Sequence, residues 1–184
     1  SKNVNFICSD AESQAFSEDK YDLIFSRFGI MFFSNPVKAF ANIRRSLKET
    51  GAFKFICWRS IHENLWMKTA AWAAFEVLER PEPPAVGKPG PFSLADENLI
   101  VSILNDSGFS RPKLERVDFL LNLGKILPAV ELMTQLGPAA TPFSEASPEL
   151  QNSAKKRIFD ALTPFEDQEG VKLPASCWYV TVQK

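Results

Sequence analysis

The sequence predicts an α/β fold, with a mostly parallel sheet, an antiparallel C-terminal strand and an inserted helical cap. Short apolar runs at Val4–Cys8, Tyr21–Ser26 and Ala52–Trp58 read as strands, and a helical period separates the last two. A β-branched and aromatic run, Ala175–Val182, closes the chain as an edge or inner antiparallel strand. Strand, helix, strand in this order is the crossover that parallel pairing requires.

Taken in order, Val4–Cys8 ends in the polar pair Ser9-Asp10, as a buried strand does on reaching a sheet edge. Tyr21–Ser26 is apolar at successive positions, which suits a strand covered on both faces. Asn35 caps a helix with Pro36 at its first position and Phe40, Ile43 and Leu47 at helical spacing. Arg44, Arg45 and Lys48 suit its C-terminal end, and Gly51 is expected to close it. Asn64–Leu78 reads as an Ala- and Trp-rich helix and Pro81–Pro91 as a stiff loop, together an inserted cap and linker over 60–92. Ser93 is expected to begin another helix, with Asp96 in its first turn and Leu99, Ile100, Ile103 and Leu104 inward. A strand follows near Lys113–Phe119. Helices Pro128–Leu136 and Pro148–Leu162, the second capped by Ser147, form a further helical insertion over 120–170.

The 184 residues, 45% of them hydrophobic, suffice for one core, so 1–184 is read as a single domain. A formal charge of −1 with mixed signs argues against a nucleic-acid partner. No apolar run reaches the roughly 18 residues of a membrane span, and a cytoplasmic location is expected. Cys8, Cys57 and Cys177 lie apart, each in a strand-like run, and read as buried thiols rather than metal ligands or disulfides. One histidine, His62, gives a metal site or a Ser-His-Asp triad little to draw on, so no metal is expected.

The residues also carry a family signature. Asp10-Ala11 follows a strand, Tyr21-Asp22-Leu23-Ile24 opens the next, and Ser26-Arg27-Phe28-Gly29-Ile30-Met31-Phe32-Phe33 follows it. Asn35-Pro36-Val37-Lys38-Ala39-Phe40, Leu47-Lys48 and Gly51 lead to the strand ending in Trp58. Downstream stand Glu63-Asn64-Leu65-Trp66-Met67, Gly90-Pro91-Phe92, Gly108-Phe109 and Gly137-Pro138. In this ordered set the chain resembles the class I S-adenosylmethionine-dependent methyltransferases, in particular their quinone-biosynthesis-like branch. Glu49-Thr50 departs from the Pro-Gly common in relatives.

The resemblance implies an incomplete Rossmann-like sheet. It also implies S-adenosylmethionine as cofactor, and methyl transfer to a small, partly apolar acceptor. It places Asp10 and Ala11 at the adenine, Ser26 and Arg27 at the methionine part of the donor, and the faces of Phe28 and Phe32 near the sulfonium. Trp58, Arg59, Trp66 and Phe92 fall where the family builds its acceptor pocket. Read without the resemblance, Asp10 caps a turn, Arg27 pairs with a surface acid, and the aromatic residues pack core and cap. No catalytic base is assigned, because an activated sulfonium donor needs chiefly orientation and a dry pocket.

The glycine-rich turn of the family's first strand has no counterpart, since no two glycines stand two apart. The chain starts at Ser1, just before what would be the family's third strand, and the expectation is the C-terminal two-thirds of such an enzyme. Removing the two strands between the third and fourth would leave Val4–Cys8 without neighbours and open an apolar edge along Leu23–Ser26. Self-association through that edge, strand exchange, or a new pairing for Val4–Cys8 is then expected. Three readings follow: a fragment of a methyltransferase, a non-catalytic methyltransferase-like binding or assembly module, or a chain completed by a separate polypeptide.

Overall fold

The computed structural model describes residues 4–84 and 87–184. Its strands are β1 (Tyr21–Arg27), β2 (Leu47–Trp58), β3 (Ser110–Asn122), β4 (Glu166–Asp167) and β5 (Gly170–Gln183). Its helices are α1 (Pro36–Ser46), α2 (Leu65–Ala74), α3 (Glu97–Asp106), α4 (Ile126–Gln135), α5 (Ala140–Glu145) and α6 (Pro148–Leu162). The sheet order is β1-β2-β5-β3, with β4 paired to β5. β1 and β2 are parallel. β5 runs antiparallel to β2, because Gly51 pairs with Lys184 and Arg59 with Ser176. The mixed α/β sheet expected from the sequence is therefore the one observed.

Contacts divide the chain into two compact units, one of residues 1–57, 88–115 and 179–184 and one of 58–87 and 116–178. In the first, α1 turns Ala39, Phe40 and Ile43 inward while β2 alternates, burying Phe53, Phe55 and Cys57. Phe40 meets the rings of Phe53 and Phe55 at 5.5 and 5.7 Å, and Phe53 stacks on Phe109 at 6.0 Å. Each buried phenylalanine contributes roughly 1.5–3 kcal/mol of burial. Asn35 caps α1 by accepting from Lys38 N at 3.0 Å, as its sequence signal requires.

In the second unit, α2 packs on α6 and α4, and α4 packs on α5 and α6. The two helical segments that the sequence presents as separate insertions thus share one core, in which Ala154, Ile158 and Leu162 of α6 are buried. Ser147 caps α6 as expected. The start of α4 is capped from far away: Ile126 N donates to Glu166 Oε1 at 2.9 Å. At the β4–β5 turn, Glu169 N, the Lys172 ammonium and Gly170 N donate to the Asp167 carboxylate and together hold it below its ordinary pKa.

Several local expectations are corrected. Val4–Cys8 forms no strand and is exposed, Phe6 at 94%. Cys8 is accordingly exposed rather than buried, since burial there would need a neighbouring strand. Gly51 does not close α1. It lies within β2, where a side chain would meet the carbonyl oxygens of Lys48 and Tyr21 at 2.9 Å. The register jumps from Tyr21↔Leu47 to Leu23↔Ala52, so Glu49-Thr50 sits at an irregularity of the ladder. Asp96, not Ser93, caps α3, accepting from Leu99 N at 3.0 Å. α2 ends at Ala74, four residues before the expected Leu78. Ala85 and Val86, within the expected Pro81–Pro91 loop, lie outside the described residues.

Candidate functional site

In the first unit a cleft of about 480 Å³ runs beside β1. Ala11 and Ser26, two of the expected donor-binding residues, both line it, with Phe16, Ile24, Gly29 and Phe33. Its lining is mainly apolar. The apolar surface continues onto β1, where Leu23 and Phe25 are 50% and 74% exposed because β1 ends the sheet. Among the described residues β1 pairs with β2 alone.

Asp10 precedes the cleft in an exposed turn. Its carboxylate accepts from Glu12 N at 2.9 Å and Ser13 Oγ at 3.1 Å, which is the turn-capping role. Two residues that sequence reasoning did not single out hold this turn in place. Glu12 Oε2 accepts from Ser34 N and Asn35 N at 2.8 and 3.1 Å. Asn42 Nδ2 donates to the carbonyls of Ala11 and Gln14. Their partners lie more than twenty residues away, so no local signal marks them.

The loop after β1 is conformationally special. Phe28 has φ 58°, the left-handed region that costs a non-glycine residue about 1–2 kcal/mol. Such a backbone persists only where the surroundings enforce it. Here Phe28 N donates to Ile56 O at 3.0 Å, Ile30 and Met31 are buried, and the Met31 carbonyl accepts from Gly90 N and Ser93 Oγ at 3.0 and 2.6 Å. Gly29 follows, where a Cβ would lie 3.2 Å from Ser26 Oγ. Phe32 is half exposed and Arg27 exposed.

The expected acceptor-pocket residues fall in both units. Phe92 belongs to the first, in the turn joined to Met31. Trp58, Arg59 and Trp66 belong to the second. There the Trp58 and Trp66 rings lie 5.1 Å apart. Arg59, only 6% exposed, donates through Nη1 to Asp118 at 2.9 Å, pairs with Glu63 through Nη2, and covers the Trp178 ring at 5.1 Å. Its Nε has no hydrogen-bond partner among the described residues. Asn64 organises this cluster: Nδ2 donates to the carbonyls of Arg59, Ser60 and Ser176, while Oδ1 accepts from Ser176 N and Trp66 Nε1. His62 is exposed, and among the described residues no group of His, Cys, Asp and Glu could hold a metal ion. No helix among them is long and apolar enough to cross a membrane.

Burial and the nearby Asp118 carboxylate push the Cys177 thiol from 9.0 up to about 12, opposed by Arg59. Thiol reagents at mild pH are expected to modify Cys8 at once and Cys177 only on unfolding. Between pH 9 and about 12 the unfolded chain loses this proton while the folded chain keeps it, so stability falls as pH rises through that window. Alkylation of Cys177 in the native state as fast as Cys8 would contradict the assignment.

Comparison with known proteins is consistent with this geometry. Residues 1–55 match a family described as a methyltransferase domain. A protein of Bacillus halodurans assigned as a methyltransferase superposes with a TM-score of 0.54 at 13% identity, over 96% of this chain and 69% of its own. The YcgJ protein of Bacillus subtilis gives 0.53 at 14%, over 96% and 69%. A protein of Anabaena variabilis, assigned as a methyltransferase from an antibiotic biosynthesis pathway, gives 0.54 at 14%, over 97% and 72%. No curated protein matches the sequence. The fold is thus the Rossmann-like α/β fold of the methyltransferases.

Proposed function

We propose that this chain serves S-adenosylmethionine-dependent methyl transfer to a small, partly apolar acceptor, in the manner of the quinone-biosynthesis-like branch. The observation that carries the reading is the cleft along β1, whose lining includes both Ala11 and Ser26, with the constrained Phe28 next to Gly29 of the same lining. The cleft runs along β1 and reaches the C-terminal end of that strand at Ser26 and Gly29, the end at which ligands of open α/β sheets gather. Ala11 and Asp10 would face the adenine, Ser26 and Arg27 the methionine part, and Phe28 and Phe32 the sulfonium, whose charge suits aromatic faces. Trp58, Arg59, Trp66 and Phe92 would serve the acceptor. The donor is intrinsically activated, so the residues' work is to bind, orient and exclude water.

A second reading, a non-catalytic binding or assembly module, is favoured by the cleft's apolar lining and its continuation onto exposed Leu23 and Phe25. Calorimetric titration with S-adenosylhomocysteine separates the two. Micromolar binding is expected for the methyltransferase reading. Absence of binding to the 184-residue chain leaves the module reading for these residues.

A further inference from the structure

Phe28 is held in a backbone conformation that an unconstrained phenylalanine would leave, so some contact must keep the loop after β1 in place. One constraint comes from the β2 side, through Ile56 O. Another comes from a segment about sixty residues further along the chain. Gly90 N and Ser93 Oγ converge on the single carbonyl of Met31, and Ser93 N closes the turn on Gly90 O at 3.1 Å. Met31 is 2% exposed and Ile30 3%, so water cannot readily replace the lost partner at that carbonyl. The Ser93 hydroxyl caps no helix: Asp96 performs that task for α3. Its evident partner is the β1 loop.

We propose that Ser93 is a positioning residue for the donor site. Its hydroxyl locks the Met31 carbonyl, and with it the left-handed Phe28, so that Ser26, Phe28 and Phe32 hold fixed places at the end of β1. Phe92, the acceptor-side candidate, adjoins Ser93 in sequence. A change in the Gly90–Ser93 turn would therefore be transmitted to the residues proposed to face the donor. This role rests on the proposed function for its significance, whereas the lock itself is a property of the loop.

The test compares Ser93→Ala and Ser93→Thr with the parent chain by hydrogen exchange and by titration with S-adenosylhomocysteine. Ser93→Ala is expected to speed amide exchange over residues 28–33 roughly five- to tenfold, the equivalent of one lost hydrogen bond, with exchange in α1 and β2 unchanged. Affinity for S-adenosylhomocysteine is expected to fall by a similar factor. Ser93→Thr, which keeps the hydroxyl, is expected to restore both. Unchanged exchange at 28–33 in Ser93→Ala would overturn the proposal, as would a uniform rise across the unit. If the parent chain binds no S-adenosylhomocysteine, the donor-site reading fails by itself, and the exchange pattern still decides the lock.

Discussion

Asn64→Ala is expected to lower stability by about 3–5 kcal/mol, among the largest effects a single substitution in this chain can have. The side chain is fully buried and every one of its polar positions is used. Its two amide N–H groups are shared among three carbonyls, those of Arg59, Ser60 and Ser176, so one of the hydrogens is bifurcated. Its oxygen accepts from Ser176 N at 3.0 Å and Trp66 Nε1 at 3.1 Å. Truncation leaves buried groups without partners and opens a small void, and the two costs add in one place. Asn64→Asp is expected to be nearly as severe, because it turns a donor that serves three carbonyls into another acceptor. Denaturant unfolding monitored by tryptophan fluorescence measures both. A loss under about 1 kcal/mol for Asn64→Ala would show that the network is not the anchor of the Arg59–Trp66 segment.

The second large effect concerns association. We propose that the 184-residue chain self-associates through the β1 edge. Among the described residues β1 ends the sheet and its outer row of backbone N–H and C=O groups has no strand partner, and Leu23 and Phe25 stand exposed beside an apolar cleft. Val4–Cys8 adds exposed Phe6 and Ile7 and forms no strand of its own. Edges of this kind recruit other strands unless charge or cover prevents it. Light scattering is expected to show dimers or larger species at about micromolar concentration. Phe25→Lys, a charge on the edge, is expected to weaken association by more than about tenfold with little effect on the fold, since the replaced side chain is already exposed. A parent chain that remains monomeric at about 100 µM would refute the proposal.

Those two cases divide between what can and cannot be read along the chain. The edge was legible only through the family's strand order; the apolar run Leu23-Ile24-Phe25 by itself reads as a strand covered on both faces, whereas Leu23 and Phe25 are exposed because β2 is the one strand beside β1 among the described residues. Asn64 was visible only as one letter of a family signature. Nothing local distinguishes it from an ordinary helix cap, and its partners Arg59, Ser60 and Ser176 are gathered by the antiparallel pairing of β2 and β5. Ser93 shows the same limit. It reads as a helix start, yet its hydroxyl is used by Met31, 62 residues earlier.

Local chemistry determined several of the elements, but not α5, β4 or the state of Val4–Cys8. The cap at Asn35 with Pro36, the Ser147–Pro148 start of α6 and the alternation in β2 are short-range preferences of backbone and side chain, and they hold in the folded chain. The α/β class followed from their order. Tertiary structure decided what depends on partners distant in sequence: that Val4–Cys8 forms no strand, that the two helical segments share one core, and that Glu12 and Asn42 anchor the Asp10 turn. A hydrogen bond or a buried face needs a complementary group in space. The identity of that group is set by the fold, not by the residues next to it.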